Sequence, residues 1–167
     1  MQNRENGRSR NITTGATATT FDPNGACSRA QAVTFLWRAA GSPAPKSHTT
    51  PFTDVEKGSY YEQAVLWAAE NGIATGTSAT TFEPDAACSR AQIVTFLWRV
   101  NGKPASHSAN PFADVSAAYY TDAVLWAVES GIKEIRRSVH ELSLEKVLTK
   151  MPLNDIIKDV IRCHIKN

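Results

Sequence analysis

Apolar and polar residues alternate with a helical period in four short stretches, and the four form two nearly identical pairs. In AQAVTFLWRAA, Ala30, Val33, Trp37 and Ala40 recur every three or four residues, and AQIVTFLWRV restarts the pattern at Ala91. Apolar side chains at that spacing share one face of an α-helix. Tyr61, Ala64, Val65 and Ala68 make a second stripe, returned as Tyr120, Ala123, Val124 and Ala127. Ser28-Arg-Ala-Gln31 and Ser89-Arg-Ala-Gln92 spell capping boxes, in which the serine oxygen takes the N3 amide and the glutamine reaches back to the N-cap amide. Cys27 and Cys88 precede these caps and pair at staple spacing with Ala32 and Ile93. Ser59 to Glu62 predicts a further box. Its equivalent begins at Ala118, a weaker cap. Gly41, Gly72, Gly102 and Gly131 end the four patterns, as glycine tolerates the left-handed conformation there.

The pairs belong to a longer duplication. Residues 12–72 return at 73–131, with Phe21 matching Phe82 and Trp67 matching Trp126. A repeat of this size is a supersecondary unit that buries its apolar face against a copy of itself. Pro- and Ser-rich linkers, SPAPKSHTTP and KPASHSANP, join the helices of each pair and read as flexible, extended surface connections. Between the pairs, IATGTSATTFEPD reads as a short strand or turn. The expected architecture is all-α, tandem helix-loop-helix modules with short extended turns. Residues 1–11 form a polar arm, 12–51 a back half-module with its linker, 52–111 a complete module with its linker, 112–132 a front half-module, and 133–167 an unrelated basic tail. Ile135, Val139 and Leu142, then Leu153 to Ile161, predict two amphipathic helices there. They are either a hairpin packed on the repeats or the foreign end of a rearranged reading frame.

Charge and cysteine usage narrow the chemistry. Residues 12–132 carry seven basic and ten acidic side chains, so the body lacks the basic stripe that duplex binding needs. The tail carries a net +3, which keeps one alternative open: basic helices that bind a protein or nucleic-acid partner, carried on inert repeats. Three cysteines without a CxxC pair argue against a zinc site, and two linker histidines, His48 and His107, are weak evidence for any metal. Met1 to Asn11 has no apolar core, so no secretory signal is read, and no run approaches transmembrane length. Either the protein stays inside or the chain lacks the start of a longer exported one. There is no GxSxG elbow, Walker loop, HExxH or dinucleotide fingerprint, so no enzyme and no cofactor are expected.

The run FTDVEKGSYYEQAVLWAAENGIATGTSATTFEPDAACSRAQIVTFLWR, Phe52 to Arg99, resembles one whole S-layer homology module. Ile12 to Arg38 resembles the back half of a preceding module and Phe112 to Ile132 the front half of a following one. The resemblance implies a helical module that binds cell-wall polysaccharide and anchors its carrier to the envelope of a Gram-positive-type bacterium. It implies a cell-surface location, clusters of three modules, and an anionic polymer, often with a pyruvyl ketal, in the grooves between them. The family's TRAE-type motif falls on Ser28–Gln31 and Ser89–Gln92, which makes Arg29 and Arg90 ligand candidates. Its glycine-containing loop falls on Thr14-Gly15 and on Thr75-Gly76-Thr77-Ser78. Glutamine stands where the motif has glutamate, and the third module lacks its back half. Association of two chains to complete the cluster is one expected consequence, and neither nucleic-acid binding nor membrane insertion is expected.

The physical case for the arginines rests on their position. A cation at helix N1 faces the positive end of the helix dipole and slightly opposes the helix. A bound anion there would gain the guanidinium fork and the free amides together. The competing expectation is an ion pair with Asp22 or Asp85. Trp37, Trp67, Trp98 and Trp126 are read as core rather than sugar-stacking rings, and Asp54 and Asp114 as cap or turn residues rather than ligands. The cysteines are read as buried staple residues. A disulfide between Cys27 and Cys88 would need the two helix starts to lie side by side.

Overall fold

The computed structural model describes residues 19–20 and 25–130. The N-terminal arm, the loop at Gly15 and the tail from Lys133 lie outside the described residues, as does Gly131. Among those described, four helices occur: α1 Arg29–Ala39, α2 Glu62–Glu70, α3 Arg90–Val100 and α4 Thr121–Glu129. The only extended pairing among them is an isolated antiparallel bridge between Ser28 and Ala87. The all-α architecture follows the periodicity.

Local chemistry fixes the ends of α1 and α3. The Ser28 oxygen accepts from Gln31 N at 3.2 Å while Ser28 N donates to Gln31 Oε1 at 2.8 Å, and Ser89 with Gln92 repeats both bonds. At the other end Ser42 N donates to Trp37 O and Gly41 N to Arg38 O, with Gly41 at φ +90°. That is a Schellman stop, and Gly102 with Lys103 makes its copy. The box expected at Ser59 does not form. α2 begins at Glu62 behind Tyr61, which makes no side-chain cap bond. The left-handed turn at Gly58, φ +82°, presents its own amide to Glu62 Oε2 at 2.8 Å. Ser59 Oγ is left buried and unpartnered.

Packing pairs the helices across the linkers. α1 lies against α2, α3 against α4, and α1 also touches α3. The compact units are therefore the hairpins α1–α2 and α3–α4, each lying within one copy of the duplication and crossing one of the expected module boundaries, 51/52 or 111/112. Their linkers are pinned rather than loose. Trp37 Nε1 donates to Pro43 O and Trp98 Nε1 to Pro104 O. Glu70 accepts from the amides of Lys46 and Ser47, and Glu129 from that of His107. The Lys46 and Ser47 amides hold Glu70 below the usual carboxylate range, and at Glu129 the Ser106 hydroxyl does so first and the His107 amide second.

The core runs through all four helices. α1 is buried around most of its circumference, because α2 and α3 both press on it. Phe35 and Leu36 add to the predicted stripe, while Ala40 is exposed. Trp67 and Trp126 are buried. Trp37 and Trp98 are half-buried against the core with their indole N–H groups satisfied, so all four serve packing. Phe82, from the loop between the hairpins, has no exposed surface at all. Burying a phenylalanine contributes roughly 2–3 kcal/mol, which makes this loop part of the core rather than a mere connection.

Candidate ligand-binding interface

The loop from Ile73 to Cys88 is built on its own hydrogen bonds. Thr77 N donates to Thr81 O at 2.9 Å, the Ser78 and Thr81 hydroxyls hydrogen-bond to each other at 2.6 Å, and Ser78 Oγ accepts from the amides of Thr80 and Thr81. Gly76 sits where a side chain cannot fit. A Cβ there would come within 2.5 Å of the Phe52 ring and of Thr81 O. Phe52 in turn packs on Phe82 with ring centroids 5.6 Å apart. Glycine at this point serves the loop's own packing, while Thr77 and Ser78 are exposed beside it.

Asp54 clamps the far end of the loop. Its carboxylate accepts from Phe82 N at 2.8 Å and from Glu83 N at 2.7 Å. Glu83 takes a left-handed φ of +56°, uncommon for a residue other than glycine. Burial raises the Asp54 pKa, but the Phe82 and Glu83 amides outweigh it and leave it below the ordinary aspartate value. The expected turn role is met, with the bonds reaching across to another loop.

Arg29 closes the same loop from α1. Its side chain is 3 % exposed, Nε donates to Phe82 O and Nη2 to Thr75 O, both at 2.8 Å. The guanidinium carbon lies 4.7 Å from the Phe82 ring centroid and 5.8 Å from that of Phe96. Burial lowers its pKa, and nearby Cys88, Glu83, Tyr119 and Asp54 act in the opposite direction. The backbone is occupied as well: Arg29 N donates to Ala86 O and Ala30 N to Pro84 O, each at 2.9 Å. Two of the first-turn amides of α1 are thus satisfied by protein carbonyls, and the helix tip is covered.

Arg90 occupies the equivalent position on α3 and is exposed. No described residue supplies carbonyls to its amide or to that of Ala91. Asp114, the counterpart of Asp54, is exposed too. The sequence after Ile132 carries no TTFxPD run to serve as its loop. Two further rings are not accounted for by the helical stripes, Tyr60 beside Ser28 and Asp85 and Tyr119 near Arg29. Tyr60 and Tyr119 are 59 % and 61 % exposed, each edge-on to the next tyrosine at 5.1 Å. In each Tyr-Tyr doublet only the second residue falls on the apolar stripe, and that is the signal that could have marked the first as a surface ring.

No cluster of metal-ligating side chains occurs among the described residues, and none of the helices there is long and apolar enough to cross a membrane. Comparison with known proteins bears on the repeats. The family model described as S-layer homology domain matches residues 7–33 and 51–94. An endoglucanase from Bacillus sp. (strain KSM-635) is 37% identical over 94 residues. That match takes in 56% of this chain and 10% of the relative, so the chain spans about a tenth of that protein's length.

Proposed function

We propose that this chain, whose repeats are S-layer homology modules, binds an anionic cell-wall polysaccharide without forming covalent bonds, and so fastens its carrier to the envelope. Modules of this family are cell-surface anchors, binding units rather than catalysts. The finer reading is that Arg90 grips a carboxylate on the polymer, such as that of a pyruvyl ketal. The observation that carries it is the contrast between the two TRAE-type arginines. The Arg29 tip is filled by Phe82 O, Thr75 O, Ala86 O and Pro84 O, whereas Arg90 is exposed on an α3 tip without those partners. An anion at that tip would gain both a guanidinium fork and free amides.

Tyr60 and Tyr119 supply exposed rings on which the apolar face of a sugar can pack. Thr77 and Ser78 supply hydroxyls on the loop that Gly76 allows to fold tightly. Arg29 contributes by holding that loop in place. Gly15, the first-repeat counterpart of Gly76, lies outside the described residues. Co-sedimentation with purified sacculi tests the reading. Arg90→Ala is expected to weaken retention about tenfold, the loss of one charge-assisted hydrogen bond, with unchanged circular dichroism. Retention equal to wild type would remove Arg90 from the site. Equal retention on sacculi stripped of their secondary polymer would remove the polysaccharide.

A further inference from the structure

Cys27 and Cys88 lie 61 residues apart in sequence and directly opposite each other in the fold. Ser28 and Ala87 form an antiparallel bridge, and the register places Cys27 across from Cys88. Cys88 N donates to Cys27 O at 2.9 Å, and on the other side of the bridge Arg29 N donates to Ala86 O. One bond, from Cys88 N to Cys27 O, thus joins the two cysteines next to the bridge, and residues opposite each other in antiparallel pairing have side chains on the same face and Cα atoms about 4.5–5.5 Å apart. That separation falls inside the range a disulfide spans, roughly 4.4–6.8 Å. Both side chains are buried, 1 % and 2 % exposed, against the same core. Each stands as a thiol, that of Cys27 directed at Ser28 O at 3.6 Å.

We propose that Cys27 and Cys88 are the two ends of an inter-repeat disulfide that staples the starts of α1 and α3. The bond forms by thiol–disulfide exchange as the chain folds, with a small-molecule or protein disulfide as oxidant. One cysteine thiolate attacks the oxidant, expelling a thiolate and leaving a mixed disulfide. The second cysteine thiolate attacks the protein sulfur of that mixed disulfide and expels the other half. The two cysteines lose two electrons and two protons, and the oxidant becomes two thiols. The relevance of the bond in the cell rests on the surface location argued above, since such bonds persist in oxidising compartments. The pairing itself does not depend on that location.

Geometry also sets when the bond forms. Burial pushes the Cys88 thiol up to about 11. Little thiolate is present in the folded protein at neutral pH, and exchange needs thiolate and access. Oxidation during refolding is expected to outpace oxidation of the folded, reduced protein.

The test uses the full chain with Cys163→Ser, which leaves only this pair. The protein is refolded in a buffer of oxidised and reduced glutathione, quenched with alkylating reagent and weighed by mass spectrometry. The expected product is 2 Da lighter than the dithiol, carries no alkyl group, and yields a linked Cys27–Cys88 peptide. Its Tm is expected to exceed that of the reduced form by about 10 °C, as a bond closing a long loop constrains the unfolded chain. Two alkylated thiols, or glutathione adducts without a link, in protein with native circular dichroism would overturn the proposal. A link that lowers Tm would overturn the staple. The Cys27→Ala, Cys88→Ala double variant supplies the thiol-free reference.

Discussion

The same two residues, an arginine at a helix start and an aspartate in a PFxDV turn, occur in both repeats and meet opposite fates. In the first joint Arg29 and Asp54 hold Phe82 between them, one through its carbonyl and the other through its amide. In the second, Arg90 and Asp114 are exposed. The sequences differ little up to that point. What differs is whether a TTFxPD loop follows to be held. A charged residue in this module is therefore structural or available according to what is next along the chain, and its identity alone does not say which.

The largest test of that comparison removes the residue that both groups hold. Phe82→Ala leaves a cavity between Phe52 and Arg29 and loosens the clamp on the loop. A loss of about 3–5 kcal/mol is expected, a large part of the 5–15 kcal/mol typical of a domain. Chemical denaturation should show a much lower midpoint. A midpoint near wild type would mean that the loop adds little to the core.

The next test sets one arginine against the other. Arg29→Ala strands Phe82 O in a buried site and takes away the donor to Thr75 O, and about 2–4 kcal/mol should be lost. Arg29→Lys should recover little, because an ammonium lacks the planar fork that reaches two carbonyls. Arg90→Ala should change stability by no more than about 0.5 kcal/mol, as surface substitutions usually do. Equal losses from the two alanine variants in thermal melts would erase the distinction between sealed and open joints.

How much of this was legible depends on how far each feature reaches along the chain. The Ser28 and Ser89 boxes, the Gly41 and Gly102 stops and the buried tryptophans could be read directly, because a cap or stripe is settled by residues within a turn or two. Ser59-to-Glu62 has the spelling of a cap and fails as one, since the turn at Gly58 presents a different amide. The surroundings of Arg29 were not legible. Its partners lie 46 and 53 residues away, and no local pattern says that the loop folds back over the helix tip. The expected pairing with Asp85 gave way to carbonyls for the same reason: the loop that carries Asp85 offers its backbone to α1, while Asp22 lies outside the described residues. The opposition of Cys27 and Cys88 depended on the same fold-back.

The smallest effect and the sharpest sign belong to the aspartates. The Asp54 carboxylate, bound by two amides, titrates below its unfolded value of about 4. A group depressed in this way binds its proton more readily in the unfolded chain. Its stabilisation is complete above the unfolded pKa and fades as pH falls from about 4 through the lower folded value. Asp54→Asn should cost about 1 kcal/mol at pH 7, and its deficit against wild type should shrink as the pH drops below 4. Asp114→Asn, on an exposed carboxylate that clamps no loop among the described residues, should melt within about 0.5 kcal/mol of wild type at neutral pH. A deficit in Asp54→Asn that stays constant from pH 7 to pH 3 would mean that the clamp works through shape rather than charge. Asp54 would then act by filling the turn beside Phe82 and Glu83 and not by its charge.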